Sequence, residues 1–163
     1  MPLTFARIDQ KLIHGQVTAA WIPYLSIEEI IVVDQDLTED DFTQAIMASG
    51  LPPEVKSIFF TNPAKLSTFM ENHDSKRTMV LFRDVVCAKE SIECGLSLSF
   101  LNLGNQAYLP NTESIKLTQC FFADRQDFTT LCLLAEEGID LFFQSVPTAR
   151  RIPFNPASYR WPK

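Results

Sequence analysis

Short apolar runs alternate along the chain with segments whose apolar residues recur at helical spacing. The apolar runs are residues 3–8, 29–33, 57–60, 78–82, 98–102 and 139–143. Each run is nearly continuous, which is typical of strands covered on both faces. The pattern therefore predicts an α/β fold: an open, mostly parallel twisted sheet of about six or seven strands with helices on both faces.

Several helix starts can be read from the sequence. Thr38 with Asp41 matches a capping pair ahead of an apolar stripe. Asn62-Pro63 offers proline at a first turn, where its missing N–H costs nothing. Asp124 is expected to begin another helix, because an aspartate at that position can accept a hydrogen bond from a free backbone amide.

The five glycines fall into two groups. Gly50, Gly95 and Gly138 each follow a helical stripe, where a left-handed C-cap favours glycine. Gly15 and Gly104 instead follow predicted strands. Since ligands of open parallel sheets bind at the carboxyl ends of strands, a site is expected at these two loops.

Composition narrows the class of protein. The 163 residues are 46% hydrophobic and 21% charged, which predicts a single globular domain over residues 1–163. A net charge of −6 argues against general nucleic-acid binding. The sequence contains neither a long apolar span nor a signal-peptide pattern, so we expect a cytoplasmic protein. Its four cysteines lack metal-binding spacing and are expected to be buried free thiols.

The loop after the first strand carries the main candidate for chemistry, His14. Apolar residues between 17 and 24 predict a helix that starts just after it and ends near Pro23. A helix N-terminus favours bound phosphate, and Arg7 and Lys11 add positive charge nearby. Neutral imidazole is a nucleophile, so His14 could accept a phosphoryl group.

The string Arg-Ile-Asp-Gln-Lys-Leu-Ile-His-Gly-Gln-Val, residues 7–17, closely resembles the signature of one protein family. These are the EIIB subunits of the mannose/fructose/sorbose family of bacterial sugar phosphotransferase systems (PTS), which typically read Arg-Ile-Asp-Asp-Arg-Leu-Ile-His-Gly-Gln-Val. Trp21 also matches, and the resemblance continues through residues 31–34, 101–105 and 138–148.

This resemblance implies a function as a phosphocarrier. His14 would be phosphorylated by an EIIA protein and would pass the group to a sugar held by the membrane subunits EIIC and EIID. Family members commonly form homodimers, and the chain would associate peripherally with the inner face of the membrane through EIIC and EIID. No cofactor or metal is expected.

The resemblance also assigns supporting roles. Arg7 and Lys11 would be cations on the phosphate side, and Asp9 would organise the loop or the imidazole. Gly15 and Gln16 would form a backbone cradle. Further residues that could line the site are Asp34, Asn102 and Gly104.

The sequence departs from the family pattern at three positions. Lys11 replaces arginine, Gln10 replaces a common acidic residue, and Asn105 replaces the second glycine of an Asn-x-Gly-Gly loop. Lysine lacks the bidentate fork of arginine, so an alternative stays open. The chain could be a catalytically weak or regulatory EIIB homologue that binds EIIA or a regulator without efficient turnover.

Two other enzyme classes fit less well. Histidine phosphatases also place His-Gly after a first strand, but they need a second catalytic histidine late in the chain. The only other histidine, His73, is expected at the surface. EIIB proteins that use phosphocysteine carry their cysteine at the end of the first strand, whereas the earliest cysteine here is Cys87.

Overall fold

A computed structural model describes residues 3–37, 39–74 and 77–162. The strands are β1 (Leu3–Asp9), β2 (Glu29–Val33), β3 (Lys56–Phe60), β4 (Thr78–Phe82), β5 (Phe100–Asn105), β6 (Ser114–Thr118), β7 (Phe121–Asp124), β8 (Asp140–Phe143) and β9 (Ile152–Pro153). The helices are α1 (Ile22–Leu25), α2 (Asp41–Ala48), α3 (Ala64–Glu71), α4 (Val85–Glu93) and α5 (Arg125–Glu136). A π-helical segment, Gln16–Trp21, runs directly into α1.

Seven strands form one sheet in the order β3-β2-β4-β1-β5-β8-β9. All pairings are parallel except that of β9 with β8. The α/β class and all six predicted strands are confirmed. The β6–β7 hairpin and β9 were not predicted, because β6 mixes polar with apolar residues and β9 has only two residues.

Both faces of the central strands are buried, as the continuous apolar runs predicted. In β2, Ile31 and Val33 belong to one core cluster, whereas Ile30 and Val32 belong to the other. The first cluster packs against α3, α4 and α5, and the second against the π-helical segment and α1. Arg7 of β1 is a fully buried charge at the edge of this apolar interior.

Two of the predicted helix starts are confirmed. Asp124 caps α5 by accepting from the Asp127 amide at 2.7 Å, and Asn62 accepts from the Ala64 amide at 2.9 Å. The third start involved Thr38, which lies outside the described residues. The described cap of α2 is Asp40, whose side chain accepts from the Phe42 amide.

Two expectations about helix ends are wrong. Gly95 and Gly138 have the predicted positive φ, but Gly50 does not, because α2 ends through right-handed residues around Ser49. Pro23 does not end the first helix. It occupies the first turn of α1, where a residue without an N–H is tolerated.

The cysteines are free, as expected, but only Cys87 is buried, and burial raises its pKa to about 12. The expectation of burial is wrong for Cys94 and Cys120, which are exposed because they lie at a helix C-cap and in the β6–β7 turn. Among the described residues, no helix is both long and apolar enough to cross a membrane.

Candidate functional site

His14 follows a tight turn that Asp9 builds at the carboxyl end of β1. The Lys11 amide donates to Asp9 Oδ1 at 3.0 Å, and the Leu12 amide donates to the Asp9 carbonyl oxygen at 2.9 Å. Leu12 has a φ of 54°, which is uncommon for a residue with a branched side chain, and it is buried at 4% exposure. Its burial holds the left-handed turn, which reverses the chain and returns His14 to Asp9.

The imidazole of His14 is oriented by the Asp9 carboxylate. His14 Nε2 lies 2.7 Å from Asp9 Oδ2, and the His14 side chain is 18% exposed whereas that of Asp9 is fully buried. A carboxylate only accepts hydrogen bonds, so Nε2 carries the proton. In the neutral ring the nucleophilic lone pair is therefore on Nδ1.

Asp9 remains ionised although it is buried. Burial by itself would raise the pKa of its carboxyl group. The hydrogen bond from His14 and the charge of Arg7 outweigh burial, with a further hydrogen bond from Asn105, so the pKa of Asp9 lies below its usual value. The site therefore keeps a fixed negative charge under one edge of the imidazole.

Arg7 lies beneath this pair and is fully buried. Its Nε donates to Asp9 Oδ2 at 3.0 Å, and its Nη2 donates to Gln16 Oε1 at 2.9 Å. Its Nη1 donates to Asn102 Oδ1 at 2.6 Å and to the Gln144 carbonyl oxygen at 3.0 Å. These bonds direct the guanidinium toward the protein, so the geometry favours Arg7 as an organiser of Asp9 over direct phosphate contact.

Gly104 is required by the position of Arg7. A Cβ atom built at Gly104 would lie 2.3 Å from Arg7 Cζ and 2.6 Å from Arg7 Nη2. Only a residue without a side chain lets β5 approach the guanidinium this closely. The sequence predicted only that Gly104 could line the site; in the structure it lies against the guanidinium of Arg7.

The end of β5 adds two asparagines to the network. Asn102 is fully buried and, besides accepting from Arg7, donates to the Gln144 carbonyl oxygen at 3.1 Å. Asn105 Nδ2 donates to Asp9 Oδ2 at 3.1 Å and to Gln16 Oε1 at 2.9 Å.

The remaining predicted residues lie apart from this network or at its edge. Lys11 is exposed and lines a cleft of about 290 Å³ together with Cys120. Gly15 is the N-cap of the π-helical segment, and a methyl group there would meet nothing within 4 Å. Asp34 is not in the network: it follows β2 and forms an ion pair with Arg83 at 3.0 Å.

Asn105 and Gln144 were not predicted as site residues, and in the sequence Asn105 stands out only as a departure from the family pattern. A polar residue at the end of a buried strand was a usable signal for Asn105. Gln144 contributes its backbone carbonyl, which no sequence pattern reveals.

Comparison with known proteins identifies the family of this chain. The family model described as "PTS system sorbose subfamily IIB component" matches residues 3–158. The chain is 26% identical to N-acetylgalactosamine-specific phosphotransferase enzyme IIB component 1 of Escherichia coli K12 over 148 residues, covering 89% of this chain and 91% of that protein. It is 27% identical to the mannose-specific EIIAB component of the same organism, covering 91% of this chain and 46% of that protein.

A solved structure shows the same fold. The PTS-dependent N-acetyl-galactosamine IIB component of Streptococcus pyogenes superposes with a TM-score of 0.85 at 21% identity, covering 98% of both chains. The family match spans nearly the whole chain, from the first strand to a short 3-10 helical turn, Pro156–Ser158, that follows β9. The protein therefore belongs to the sorbose subfamily of PTS IIB components.

Proposed function

We propose that His14 Nδ1 accepts a phosphoryl group from a phosphorylated EIIA protein and delivers it to a sugar held by the membrane subunits EIIC and EIID. The observation that carries this proposal is the 2.7 Å contact between His14 Nε2 and the buried Asp9 carboxylate. The contact holds the protonated nitrogen inside the protein and leaves Nδ1 as the nucleophile.

The transfer step balances without further reactants. The Nδ1 lone pair forms a bond to phosphorus, while the bond from phosphorus to the EIIA donor atom breaks and its electron pair stays on the donor. The Nε2 proton remains in place, so the phosphorylated ring becomes positive and Asp9 stabilises that charge. In the second transfer, a sugar hydroxyl oxygen attacks phosphorus, the hydroxyl proton is released, and the P–Nδ1 electron pair returns to His14.

Stabilisation of the phosphoryl oxygens is assigned to groups of this chain. Phosphoryl transfer has a loose transition state, so alignment and charge stabilisation dominate. Lys11 supplies an exposed positive charge, and the backbone around Gly15 and Gln16 supplies amides at the start of the π-helical segment. We propose that no metal is required at this subunit.

The proposed partners follow from the family. One relative is named a mannose-specific EIIAB component, a name that combines A and B. This supports an EIIA protein as the phosphoryl donor. We propose that residues 1–163 form one domain, that two copies form a homodimer, and that the chain is cytoplasmic and reaches the membrane only through EIIC and EIID.

The decisive experiment compares the two histidines. Incubation with purified, phosphorylated EIIA should add one acid-labile phosphate to the wild type. His14→Ala should abolish labelling and keep the fold. His73→Gln is the matched control and should label normally. His73 contacts Glu29 at the amino end of β2, whereas His14 follows the carboxyl end of β1. Labelling of His14→Ala, or acid-stable label, would refute the proposal.

The same assay tests the other parts of the proposal. Transfer from EIIA should be unaffected by a chelator, and loss of transfer would indicate a metal. If the wild type binds phosphorylated EIIA but accepts phosphate only very slowly, the alternative function of a weak or regulatory EIIB homologue would replace the carrier function.

A further inference from the structure

The side-chain amide of Gln16 has only one orientation that fits its neighbours. Its Oε1 accepts from Arg7 Nη2 at 2.9 Å and from Asn105 Nδ2 at 2.9 Å. Arginine is a donor only, so the atom facing it must be oxygen. Asn105 Nδ2 also donates to the Asp9 carboxylate, which fixes that atom as nitrogen.

With its oxygen bonded to Arg7 and Asn105, Gln16 keeps its Nε2 free of both. In the part of the chain that the structure describes, no hydrogen-bond acceptor is found for this nitrogen, and the side chain is only partly buried. Gln16 is the first residue of the π-helical segment and lies two positions after His14. Two N–H groups are therefore free on a side chain that shares Arg7 and Asn105 with Asp9, the residue that orients the imidazole.

We infer that Gln16 Nε2 donates a hydrogen bond to the phosphoryl group on His14, and that Asn105 is the positioning residue that holds Gln16 in this orientation. The inference rests on the proposed function. It deepens that function by naming Gln16 as a side-chain donor and Asn105 as the residue that positions it, whereas the family signature implied only backbone groups of Gly15 and Gln16.

Electrostatics favours such a donor. Arg7 is buried and directed at protein acceptors, so its charge acts through Asp9. A neutral amide already fixed in position stabilises the developing charge without reorganising during the reaction. Asn105 contributes by using both of its N–H groups, one on Asp9 and one on Gln16.

Gln16→Glu removes the N–H donor of Gln16 but keeps an oxygen for Asn105 to bind. One glutamate oxygen can still accept from Arg7 and Asn105, so the fold should persist, but the other replaces the N–H donor with a negative charge. The initial rate of phosphoryl acceptance from phosphorylated EIIA should fall about 10- to 100-fold. Gln126→Glu makes the same change at an exposed position in the first turn of α5 and should keep the wild-type rate.

Asn105→Ala tests whether Asn105 positions Gln16. It leaves the Gln16 oxygen held by Arg7 alone, so the amide is less firmly oriented and acceptance should slow by about 3- to 10-fold. In the wild type, the two side-chain amide protons of Gln16 should give separate signals by NMR that shift when His14 is phosphorylated. In Asn105→Ala these signals should broaden or average, which a purely structural role for Asn105 would not produce.

The outcomes are distinguishable from failure of the proposed function. A wild type that takes no phosphoryl group would overturn both proposals. A wild type that labels while Gln16→Glu labels equally fast would overturn only this inference. So would a Gln16 amide signal that stays unchanged on phosphorylation, a measurement that needs no variant to fold.

Discussion

Gly104→Ala should disrupt the support of Asp9, because it inserts a methyl group against the Arg7 guanidinium. The added carbon would lie 2.3 Å from Arg7 Cζ and 2.5 Å from Arg7 Nε. Non-bonded carbon atoms prefer about 3.5–4.0 Å, so one of the two residues must move by more than about 1 Å. The Arg7 side chain cannot swing into solvent, since it is fully buried and bonded to acceptors on three sides.

The magnitude follows from two costs. Forcing an extra methyl group into a packed interior destabilises a protein by about 1–3 kcal/mol. Breaking one hydrogen bond to a charged group adds about 1.5–3 kcal/mol. We therefore expect Gly104→Ala to lower the free energy of unfolding by about 2.5–6 kcal/mol and to slow phosphoryl acceptance, because Asp9 loses its support from Arg7.

Urea unfolding monitored by tryptophan fluorescence gives the free energy directly. Gly15→Ala is the matched control: its φ is −52° and its new methyl group would meet nothing within 4 Å, so stability should change by less than about 1 kcal/mol. If Gly104→Ala were as stable as Gly15→Ala, the close approach of β5 to Arg7 would not be a constraint, and the reasoning would be refuted.

Three further predictions concern other residues. Lys11→Ala should slow phosphoryl acceptance by about 10- to 150-fold, because the exposed cation stabilises the phosphoryl oxygens. Lys11→Arg should restore the rate. Rates within about threefold of wild type for both variants would show that Lys11 does not have this function. Burial and a neighbouring carboxylate raise the pKa of Asp127 to about 6, so the contribution of Asp127 to stability should decline as pH rises from about 4 through 6. Asp127→Asn should therefore be about 1 kcal/mol more stable than wild type at pH 8 and no more stable at pH 3.5, as measured by thermal unfolding, and a gain that is independent of pH would contradict this cause. Cys94 and Cys120 should react rapidly with a thiol reagent in the native state, whereas Cys87 should react only on unfolding, because burial raises its pKa to about 12; rapid reaction of Cys87 would contradict its burial.

Local patterns in the sequence were sufficient to predict the layered fold. The nearly continuous apolar runs predicted β1 to β5 and β8, because a strand covered on both faces is apolar at most of its positions. Asp124 and the two glycines with positive φ, Gly95 and Gly138, also marked helix ends correctly. The strands that were missed are short or mix polar with apolar residues, so their pairing depends on neighbours rather than on their own composition.

The sequence by itself also indicated the residue types of the candidate site, since His14, Asp9 and Gln16 lie within a few positions of one another. Only the tertiary structure decided what each of them contacts. Arg7 looked like a phosphate-side cation, but the parallel pairing of β1 with β5 buries it against Asn102, which is 95 positions away. Hydrogen-bond partners so far apart in the chain are selected by strand order and register, which depend on the packing of the whole sheet and cannot be read from the residues around Arg7 alone.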